Sequence, residues 1–542
     1  RSNPYYYMPD FTGVAWDEGR AFGGHDTFYA SSTAITDEVR FDITSQLTDK
    51  WKIRVGLDYK SHKLNFYEVK DPWLGAGAKV QTFAEYWQDT GPDGLILGDE
   101  GYETADAGEN NGRWDSGENF TDANSNGKWD DFREPEEFSA YFQNVFEVPW
   151  MVINYGVRVD MVHYNSQVWS DTLGRFSPGR PWFYSDLNDN DLWDKGEAAS
   201  DLAGLARQKI LLKNSNWAYK ISPRIGFSHV ITDKSTFTFN YGLYYQNPVY
   251  QNVYLNTNSL EDPEALFEEG EGAVGNATMS AQRTQQYGAS FNVQVGENWA
   301  YSIGAWVRDM DQLTRYTQER SGVYQYSVAS NGDYGSAKGL DLTIDWRWLL
   351  FGSQFQYTYS VAKTNSEYAW ASISGQYVDA PSQENLAYYD RPHDLTYYFY
   401  TFLPFGVQAG LTAFYQSGYP YTPIIFKGKD PAEDLRQPNS KRGPAYKNVN
   451  LSLSKYFKAV DHKFAVGLNI FNILDIRNAY DIWPLTGKAD DPGSYYTDFV
   501  GLPGTDPNGV GVQADKSSAY YDRPWRLSSP REINFFIRLD FD

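Results

Sequence analysis

Apolar and polar residues alternate one by one along most of this chain, which is the pattern of β-strands with one apolar and one polar face. In 217–231, Tyr219, Ile221, Ile225 and Phe227 fall on one face, whereas Lys220, Ser222, Arg224 and Ser228 fall on the other. The pattern recurs over some 500 residues, and no segment of helical periodicity separates the repeats. The alternation therefore predicts an all-β protein.

Fifteen segments carry the alternation, and the connections between them are short and long in strict turn. The predicted strands are 36–46, 51–68, 137–148, 151–164, 217–231, 235–248, 283–295, 299–316, 339–349, 353–364, 393–402, 406–416, 445–457, 462–473 and 531–541. The short connections are 47–50, 149–150, 232–234, 296–298, 350–352, 403–405 and 458–461. The long connections are 69–136, 165–216, 249–282, 317–338, 365–392, 417–444 and 474–530. This order places every turn at one rim of the sheet and every loop at the other, as in outer-membrane barrels with periplasmic turns and extracellular loops.

We therefore predict a transmembrane antiparallel β-barrel whose apolar face contacts outer-membrane lipid and whose polar face lines the lumen. Phe227, Phe291 and Val293 are then expected in the lipid-facing belt. The composition agrees, because 17% of the residues are aromatic, with 43 Tyr and 18 Trp, and these side chains suit a membrane interface. The mean hydropathy of −0.59 is compatible with a barrel, since half of each strand is polar.

Several other classes of protein do not fit the chain. The net charge of −23 opposes binding to nucleic acid, whose phosphates repel an acidic surface. Cysteine is absent, so the chain has no thiol chemistry. The six histidines are scattered without zinc-site spacing, and the sequence contains neither a GxSxG elbow nor a P-loop. We expect a protein that is not an enzyme.

The odd number of predicted strands needs an explanation, because bacterial single-chain barrels have even numbers and an open edge in lipid leaves backbone groups unpaired. A sixteenth strand in 1–35 is one explanation, and Asp26–Ala34 is the candidate. The other is that 1–542, a single β-barrel domain, is the C-terminal part of a larger barrel and is incomplete at its N-terminus. In either case 69–136 and 165–216 form long, acidic extracellular loops.

Paired short motifs give the chain a more specific likeness. They are SPRIGFS at 222–228 with YGLYYQNP at 241–248, GLDL at 339–342 with QYTYSVAK at 356–363, DRPHDL at 390–395 with QSGYPYTP at 416–423, PAYKNVNL at 444–451 with NIFNILD at 469–475, and SPREI at 529–533. In this order they resemble the barrel of TonB-dependent outer-membrane receptors, especially the Oar-like group with a carboxypeptidase-regulatory-like N-terminal domain. Residues before 217 match only by pattern.

The resemblance implies a 22-stranded barrel, of which the predicted strands would be the last fifteen. The plug domain and the TonB box of the family would then lie outside this chain, and TonB would be a partner through them. The implied function is import of a scarce solute or polymer fragment across the outer membrane of a Gram-negative-type bacterium. Among the motif residues, Pro223 is expected at a strand end, because proline cannot donate to a sheet ladder. We expect Asn469, Asn472 and Asp475 to hydrogen-bond neighbours in the lumen or the plug.

Two of the long loops contain the ligand spacing of EF-hand-type calcium loops. The sequence 186–197 has oxygen ligands at positions 1, 3, 5, 9 and 12, and 122–130 has the first four, with Arg133 at position 12. The candidate calcium ligands are Asp186, Asn188, Asn190, Asp194, Glu197, Asp122, Asn124, Asn126 and Asp130. A degenerate third copy is 109–118, and all three copies share Trp-Asp after the turn. The alternative is that these Asn, Asp and Gly residues form solvated turns; bound calcium would stiffen loops that have little core.

Two functions stay open from the sequence. The first is a TonB-dependent receptor that imports a ligand the sequence does not identify. The second is an outer-membrane anchor or structural protein, or a plugless porin, that presents calcium-stiffened extracellular loops to a surface-exposed partner protein. A plug and a TonB box in the full-length protein would favour the first.

Overall fold

The computed structural model describes residues 28–70, 79–85, 87, 90–91, 101, 104, 108–109, 114–118, 120, 127–169, 212–255, 273–321, 324–365, 383–427, 430–434, 436–459, 462–491, 493 and 526–540. Fifteen long strands of this part form one antiparallel sheet in which each strand pairs with the next along the chain. They are β1 Phe28–Thr48, β2 Trp51–Lys70, β3 Glu136–Val148, β4 Met151–His163, β5 Ala218–Thr232, β6 Ser235–Gln246, β7 Gln282–Val295, β8 Trp299–Ser321, β9 Tyr324–Trp348, β10 Phe351–Thr364, β11 His393–Leu403, β12 Val407–Gln416, β13 Tyr446–Ala459, β14 His462–Phe471 and β15 Glu532–Asp540. The predicted fold class is confirmed.

The alternation of short and long connections is confirmed except between β8 and β9, which only two residues separate. The strand pairs that begin with β1, β3, β5, β7, β9, β11 and β13 are joined by two or three residues, at 49–50, 149–150, 233–234, 296–298, 349–350, 404–406 and 460–461. At Pro404–Gly406 the reversal uses a positive φ at both Phe405 (66°) and Gly406 (72°). All these turns lie at one rim, so the strand ends that lead into the long connections lie at the other.

Two strand boundaries differ from the prediction. The predicted long loop 317–338 is wrong, because β8 and β9 continue as a paired ribbon to Ser321 and Tyr324. In the described part of this ribbon the neighbours Val328 and Ala329 are both buried, at 4% and 0% exposed, so burial does not alternate between the two faces while the backbone ladder continues. Phe28–Ala34 is likewise not a separate strand, since it is the first part of β1 and pairs with Leu64–Lys70; Asp26 and Thr27 lie outside the described residues.

The expectation that Pro223 marks a strand end is also wrong, because Pro223 lies inside β5. It faces Val157 of β4, whereas the ladder between β5 and β6 begins one residue later, at Arg224 and Gly242. Proline has no N–H to donate, but Pro223 lies beyond the end of the ladder between β5 and β6, so no hydrogen bond of that ladder is lost.

The sheet has two unpaired edges in the part of the chain that is described. β1 pairs only with β2, and β15 pairs only with β14. In a bilayer such edges are costly, because lipid offers no hydrogen-bond partner to the exposed backbone groups. The prediction that further strands complete a larger barrel therefore stays a prediction.

The outer face of the wall is apolar, as predicted. Phe227 pairs with Phe239 and packs at 5.7 Å between ring centroids, and Phe291 lies opposite Phe237 on the same face. These rings are half-buried against one another and are not enclosed by other parts of the described chain. Near the turn rim, Trp299 and Trp346 stack at 4.9 Å, as expected for the aromatic belt of a membrane barrel.

A compact core lies on the opposite, inner face near the loop rim. Leu64 of β2 and Val162 of β4 pack there with Phe83, Val253 and Tyr254, and all five are buried. Phe83 comes from the first long loop, and the other two come from the short helix α1, Tyr250–Tyr254, between β6 and β7. Loops from two places therefore fold inward over the wall. No helix of the described residues has the length and apolar character needed to cross a bilayer.

Candidate lumen site and loop core

The inner face of β1–β5 carries four arginines, which we call the arginine row: Arg40, Arg54, Arg158 and Arg224. Cross-strand partners point to the same face of a sheet, and the register joins these positions. Arg158 lies opposite Tyr141 and Ser222, and Arg224 lies opposite Gly156. The strands β2 and β1 continue the same face through Gly56, Asp42 and their neighbours.

The arginine row borders a cavity of about 420 Å³ on the lumen side. Tyr141, Gln143, Asn154, Asn240 and Tyr244 also line it. Its walls therefore combine cationic, amide and phenolic groups, a set that suits a polar, anionic ligand.

Two carboxylates neutralise part of the row. Arg40 Nε donates to Asp42 Oδ2 at 2.7 Å, and Arg54 lies 3.8 Å from the same carboxylate. Arg158 Nε donates to Asp160 Oδ1 at 2.7 Å, and its Nη2 donates to Ser139 Oγ at 2.8 Å. A third carboxylate, Asp58, lies opposite Arg40 on the same face and is 3.9 Å from Lys60.

Arg224 is the most available member of the row. It is exposed, its guanidinium carbon lies 4.5 Å from the centre of the Tyr244 ring, and no carboxylate among the described residues pairs with it. Gly242 makes room for that ring, because a Cβ there would lie 2.6 Å from Tyr244 Cε2. The sequence placed Arg224 on the lumen face, but it could not show the row, since that requires the register of five strands.

The loop core, which we define as Glu85, Asp130, Arg133, Tyr164, Tyr250 and Tyr254, lies above this face. Glu85 and Arg133 are 1% and 4% exposed, with 3.9 Å between Glu85 Oε1 and Arg133 Nη1. The backbone N–H of Asp130 donates to Glu85 Oε2 at 3.0 Å, and Trp129 Nε1 donates to the Glu85 carbonyl at 3.0 Å. Glu85 therefore fixes the chain around 129–133 by both side chain and backbone.

The tyrosines of the loop core hold the inward loops to the wall. Tyr250 donates to Glu137 Oε1 of β3 at 2.8 Å, and Tyr254 donates to the carbonyl of Tyr164. Burial, followed by the charge of Glu137, raises the pKa of Tyr164 and Tyr250, and burial raises the pKa of Tyr254 well above its usual value. Burial lowers the pKa of Arg133, and the charge of Glu85 opposes that shift. Tyr250 and Tyr254 therefore stay neutral hydrogen-bond donors.

The shared Trp-Asp of the calcium-type motifs has a structural role that the sequence did not reveal. Trp114 and Trp129, one from each of two motif copies, stack at 5.5 Å with planes 10° apart, and Trp87 meets Trp129 edge-on at 5.5 Å. In the degenerate copy, Glu118 accepts hydrogen bonds from the N–H groups of Asp115 (2.7 Å) and Gly91 (3.0 Å). Glu85 makes the corresponding bond to Asp130 in the copy that has Arg133 at position 12.

Most predicted calcium ligands lie in parts of the chain that the structure does not describe. The whole of 186–197 lies outside the described residues, as do Asp122, Asn124 and Asn126. Asp130 is buried beside Glu85. Within the described ranges no group of three or more His, Asp or Glu side chains is arranged to hold a metal. Calcium therefore stays a prediction.

The motif residues of the loop rim build a second network. Asp390 is buried and pairs with Arg442, whose Nη1 also donates to the Asp390 carbonyl at 2.8 Å. The amide N–H of Ala362 donates to Asp390 Oδ1 at 2.6 Å. These bonds join two loops to the end of β10, so Asp390 and Arg442 have a structural role in the barrel wall.

The motif near β14 behaves in the same way. Asn469 accepts a hydrogen bond from Ser452 at 2.8 Å, and Asn472 accepts one from the Ile476 N–H at 2.9 Å. Asp475 accepts one from the Arg531 N–H at 2.7 Å. Asn472 and Asp475 both have φ of 53°, a left-handed conformation that Asn and Asp tolerate better than other side chains do. The three side chains therefore hydrogen-bond neighbouring residues of this chain, which is one of the two expectations stated above.

Comparison with protein families and solved structures finds proteins that resemble this chain. The model of the TonB dependent receptor-like β-barrel family matches residues 1–473. Similar solved structures include the copper transporter OprC (12% identity, TM-score 0.48, 95% of this chain and 57% of that one). Others are the FrpB iron transporter from Neisseria meningitidis (10%, 0.46, 82% and 51%) and the ferric yersiniabactin uptake receptor FyuA from Yersinia pestis (10%, 0.45, 84% and 52%).

The chain spans a little over half the length of these solved structures. No curated protein matches it. The family match covers far more than half of the sequence and agrees with the antiparallel wall, its turn rim and its loop rim. The chain therefore belongs to the TonB-dependent receptor β-barrel family of the bacterial outer membrane.

Proposed function

We propose that the protein is an outer-membrane import receptor that takes up a scarce solute or polymer fragment, with energy supplied through TonB. The observation that carries the proposal is the family match over 1–473. A barrel with a polar lumen face offers the route, and loops gathered at one rim offer a surface for capture. The family consists of receptors and transporters, so the proposal contains no chemical step.

We propose further that the ligand carries an anionic group that the arginine row attracts. The cavity beside the row has a volume of about 420 Å³, which lies within the range of small-molecule sites. Arg224 has no carboxylate partner among the described residues, and guanidinium groups bind carboxylates and phosphates through paired hydrogen bonds. In the narrow space of a lumen such a charge also raises the local concentration of anions.

TonB is the proposed partner, and it would act on a plug that closes the lumen. The open inner face of the wall supports this part of the proposal, because a wide water-filled barrel without a plug would leak. The wall then provides the ligand route, and the plug provides the gate.

We also propose that calcium stiffens the first two long loops through Asp186, Asn188, Asn190, Asp194 and Glu197 and through the copy that ends at Asp130. The tryptophan stack and Glu85 support the second site, because they hold the end of that motif in place. Oxygen ligands at this spacing suit a hard cation that takes six to eight of them.

The conductance of the full-length protein in a planar lipid bilayer tests the proposal. A plugged receptor is expected to pass little current until urea unfolds the plug, whereas a steady current without urea would identify a plugless porin. Binding of the periplasmic domain of TonB to the purified receptor is the second measurement, with a general porin as the control. A closed protein that does not bind TonB would be a surface anchor, and the import proposal would fail.

A further inference from the structure

Arg224 differs from the other cations on the lumen face of β1–β5, because no carboxylate of the described strands lies in register with it. Its cross-strand partners are Gly156 of β4 and Gly242 of β6. Each of the other cations has an acidic neighbour on the same face. They are Arg40 and Arg54 (Asp42), Arg158 (Asp160), Lys60 (Glu38 and Asp58) and Lys220, which lies opposite Asp160. Recognition of an anion in this part of the lumen therefore depends on one guanidinium and not on a surplus of positive charge.

Two glycines form the floor of the cavity beside Arg224. A Cβ at Gly156 would lie 2.6 Å from the carbonyl oxygen of Phe142, and a Cβ at Gly226 would lie 3.3 Å from that of Phe239. The floor is therefore bare backbone next to an exposed guanidinium. The volume of about 420 Å³ lies at the lower end of the range for small-molecule sites, so the cavity suits one unit of an oligomer better than a large ligand.

Three amide side chains surround this floor. Asn154 and Asn240 lie opposite Gly226 on its two sides, and Gln143 lies opposite Gly156. Gln143 Nε2 donates to Asn154 Oδ1 at 2.9 Å, which orients that pair. Every amide side chain offers both donors and an acceptor. The floor is therefore bordered by groups that match a ligand with several hydrogen-bonding groups of both kinds.

The two tyrosine rings on the lumen side of the cavity are already packed against the wall. Tyr244 fills the space at Gly242, and the guanidinium carbon of Arg224 lies 4.5 Å from the centre of its ring. Tyr141 fills the space at Gly56 in the same way, and its hydroxyl donates to a carboxylate of β1. A guanidinium held over a ring keeps its N–H edge available for a ligand. The groups left for recognition are therefore that edge and the amides, which disfavours a ligand bound by aromatic stacking.

We propose that this cavity binds one sugar-acid unit of the imported ligand, with its carboxylate on Arg224 and its hydroxyl groups on the three amides. The inference rests on the proposed import function. A carboxylate carries one charge and matches the planar guanidinium edge, whereas a phosphate monoester carries about −1.5 to −2 at pH 7, more than one guanidinium balances. Hydroxyl groups both donate and accept, as the amides do. The ligand is then an acidic oligosaccharide.

Binding of the trimer of galacturonic acid to the purified full-length receptor tests this proposal, with the methyl ester of the same trimer as a neutral probe of similar shape. We expect the acid to bind about tenfold more tightly than the ester, because only the acid makes a charge-assisted hydrogen bond. Arg224→Gln should reduce the affinity for the acid to that for the ester. Asn240→Leu keeps a similar size but removes an amide, so it should weaken both probes about fivefold.

Arg308→Gln is the matched control, because Arg308 lies on the lumen face opposite Gln286 of β7 but outside the cavity. It should leave the ratio of the two affinities unchanged, and heat-dependent gel migration checks that each variant has a folded barrel. The proposal is overturned if the wild type binds acid and ester equally, or if Arg308→Gln lowers the ratio as much as Arg224→Gln does. It is also overturned if trialanine, a peptide that ends in a carboxylate, binds as tightly as the acid.

These outcomes are distinct from those that test import. A closed receptor that binds TonB but neither probe, because a plug occupies the cavity, would overturn the ligand assignment and leave import intact. A steady current without urea would overturn import, whereas the ratio of the two affinities would still report on the cavity.

Discussion

The barrel wall exposes large apolar side chains on one face of its strands, whereas the loop core hides two carboxylates, a guanidinium and two tyrosines from solvent. The wall can do so because lipid replaces water on that face, so an exposed Ile303 is in effect buried. The loop core lies in an aqueous region and must bury its groups against other parts of the chain. The two regions therefore respond differently to the same substitution: the wall depends on the bilayer, and the loop core depends on a few long-range bonds.

The largest effect is expected from Glu85→Ala. This change leaves Arg133 buried without its counter-charge and removes the bond to the Asp130 N–H, which costs about 3–5 kcal/mol locally. Hydrogen exchange and limited proteolysis should show the 129–133 segment opening while the wall stays folded. Glu134→Ala is the control, since Glu134 is adjacent but only half-buried. Equal protection in both variants would show that the loop core does not depend on Glu85.

A charge on the lipid face should have the next largest effect. Ile303 is 51% exposed, so Ile303→Lys would be harmless in water, but within the apolar band it is expected to cost about 2–4 kcal/mol. Ser302→Lys, on the lumen face of the same strand, is the matched control and should cost little. Unfolding in urea from lipid vesicles gives both values. Similar values for the two variants would contradict the assignment of the faces.

Calcium should stabilise the loops and leave the wall unchanged. Removal of the ion by a chelator is expected to lower loop stability by about 1–2 kcal/mol when calcium is in roughly tenfold excess over its Kd. Protease resistance measured with and without calcium checks this. Asp186→Ala and Glu197→Ala should abolish the difference, and their failure to do so would rule out the site at 186–197.

The smallest effect is expected at the arginine row. Arg224→Gln removes one charge from the lumen, where water screens it, so ion selectivity should change by less than about 1 kcal/mol. The reversal potential of the urea-opened pore in a salt gradient should shift toward cations. Lys455→Gln makes the same charge change on the outer face and should cause no shift. A shift of equal size in both would mean that the lumen position of Arg224 is irrelevant.

The strands of the wall could be predicted because the face that each side chain takes depends on its near neighbours in the sequence. Side chains such as Phe227 and Phe291 take their face from the residue two positions away, so the sequence shows it directly. The predictions of strand boundaries were wrong where apolar and polar residues do not alternate or where a neighbouring strand decides the outcome. At 317–338 the alternation disappears, since the neighbours Val328 and Ala329 are both buried by other parts of the chain, and at Pro223 the outcome depends on where a neighbouring ladder stops.

The candidate sites were harder to predict from the sequence. Arg224 was assigned to the lumen from β5 alone, but its grouping with Arg40 and Arg158 depends on cross-strand register. The carboxylate that holds Asp130 is Glu85, 45 residues earlier, and no local pattern links the two. The Trp-Asp repeats were visible in the sequence, but the stacking of Trp114 on Trp129 was not.

By itself the sequence determined the strands, the order of turns and loops, and which side chains face lipid, because each strand is sorted by the two solvents on its faces. Only the tertiary structure decided which arginines share a cavity, which residues anchor the first long loop, and which glycines form the cavity floor beside Arg224. Those features arise where residues that are distant along the chain are brought together by strand register and loop folding, and neither is encoded in a pattern of period two.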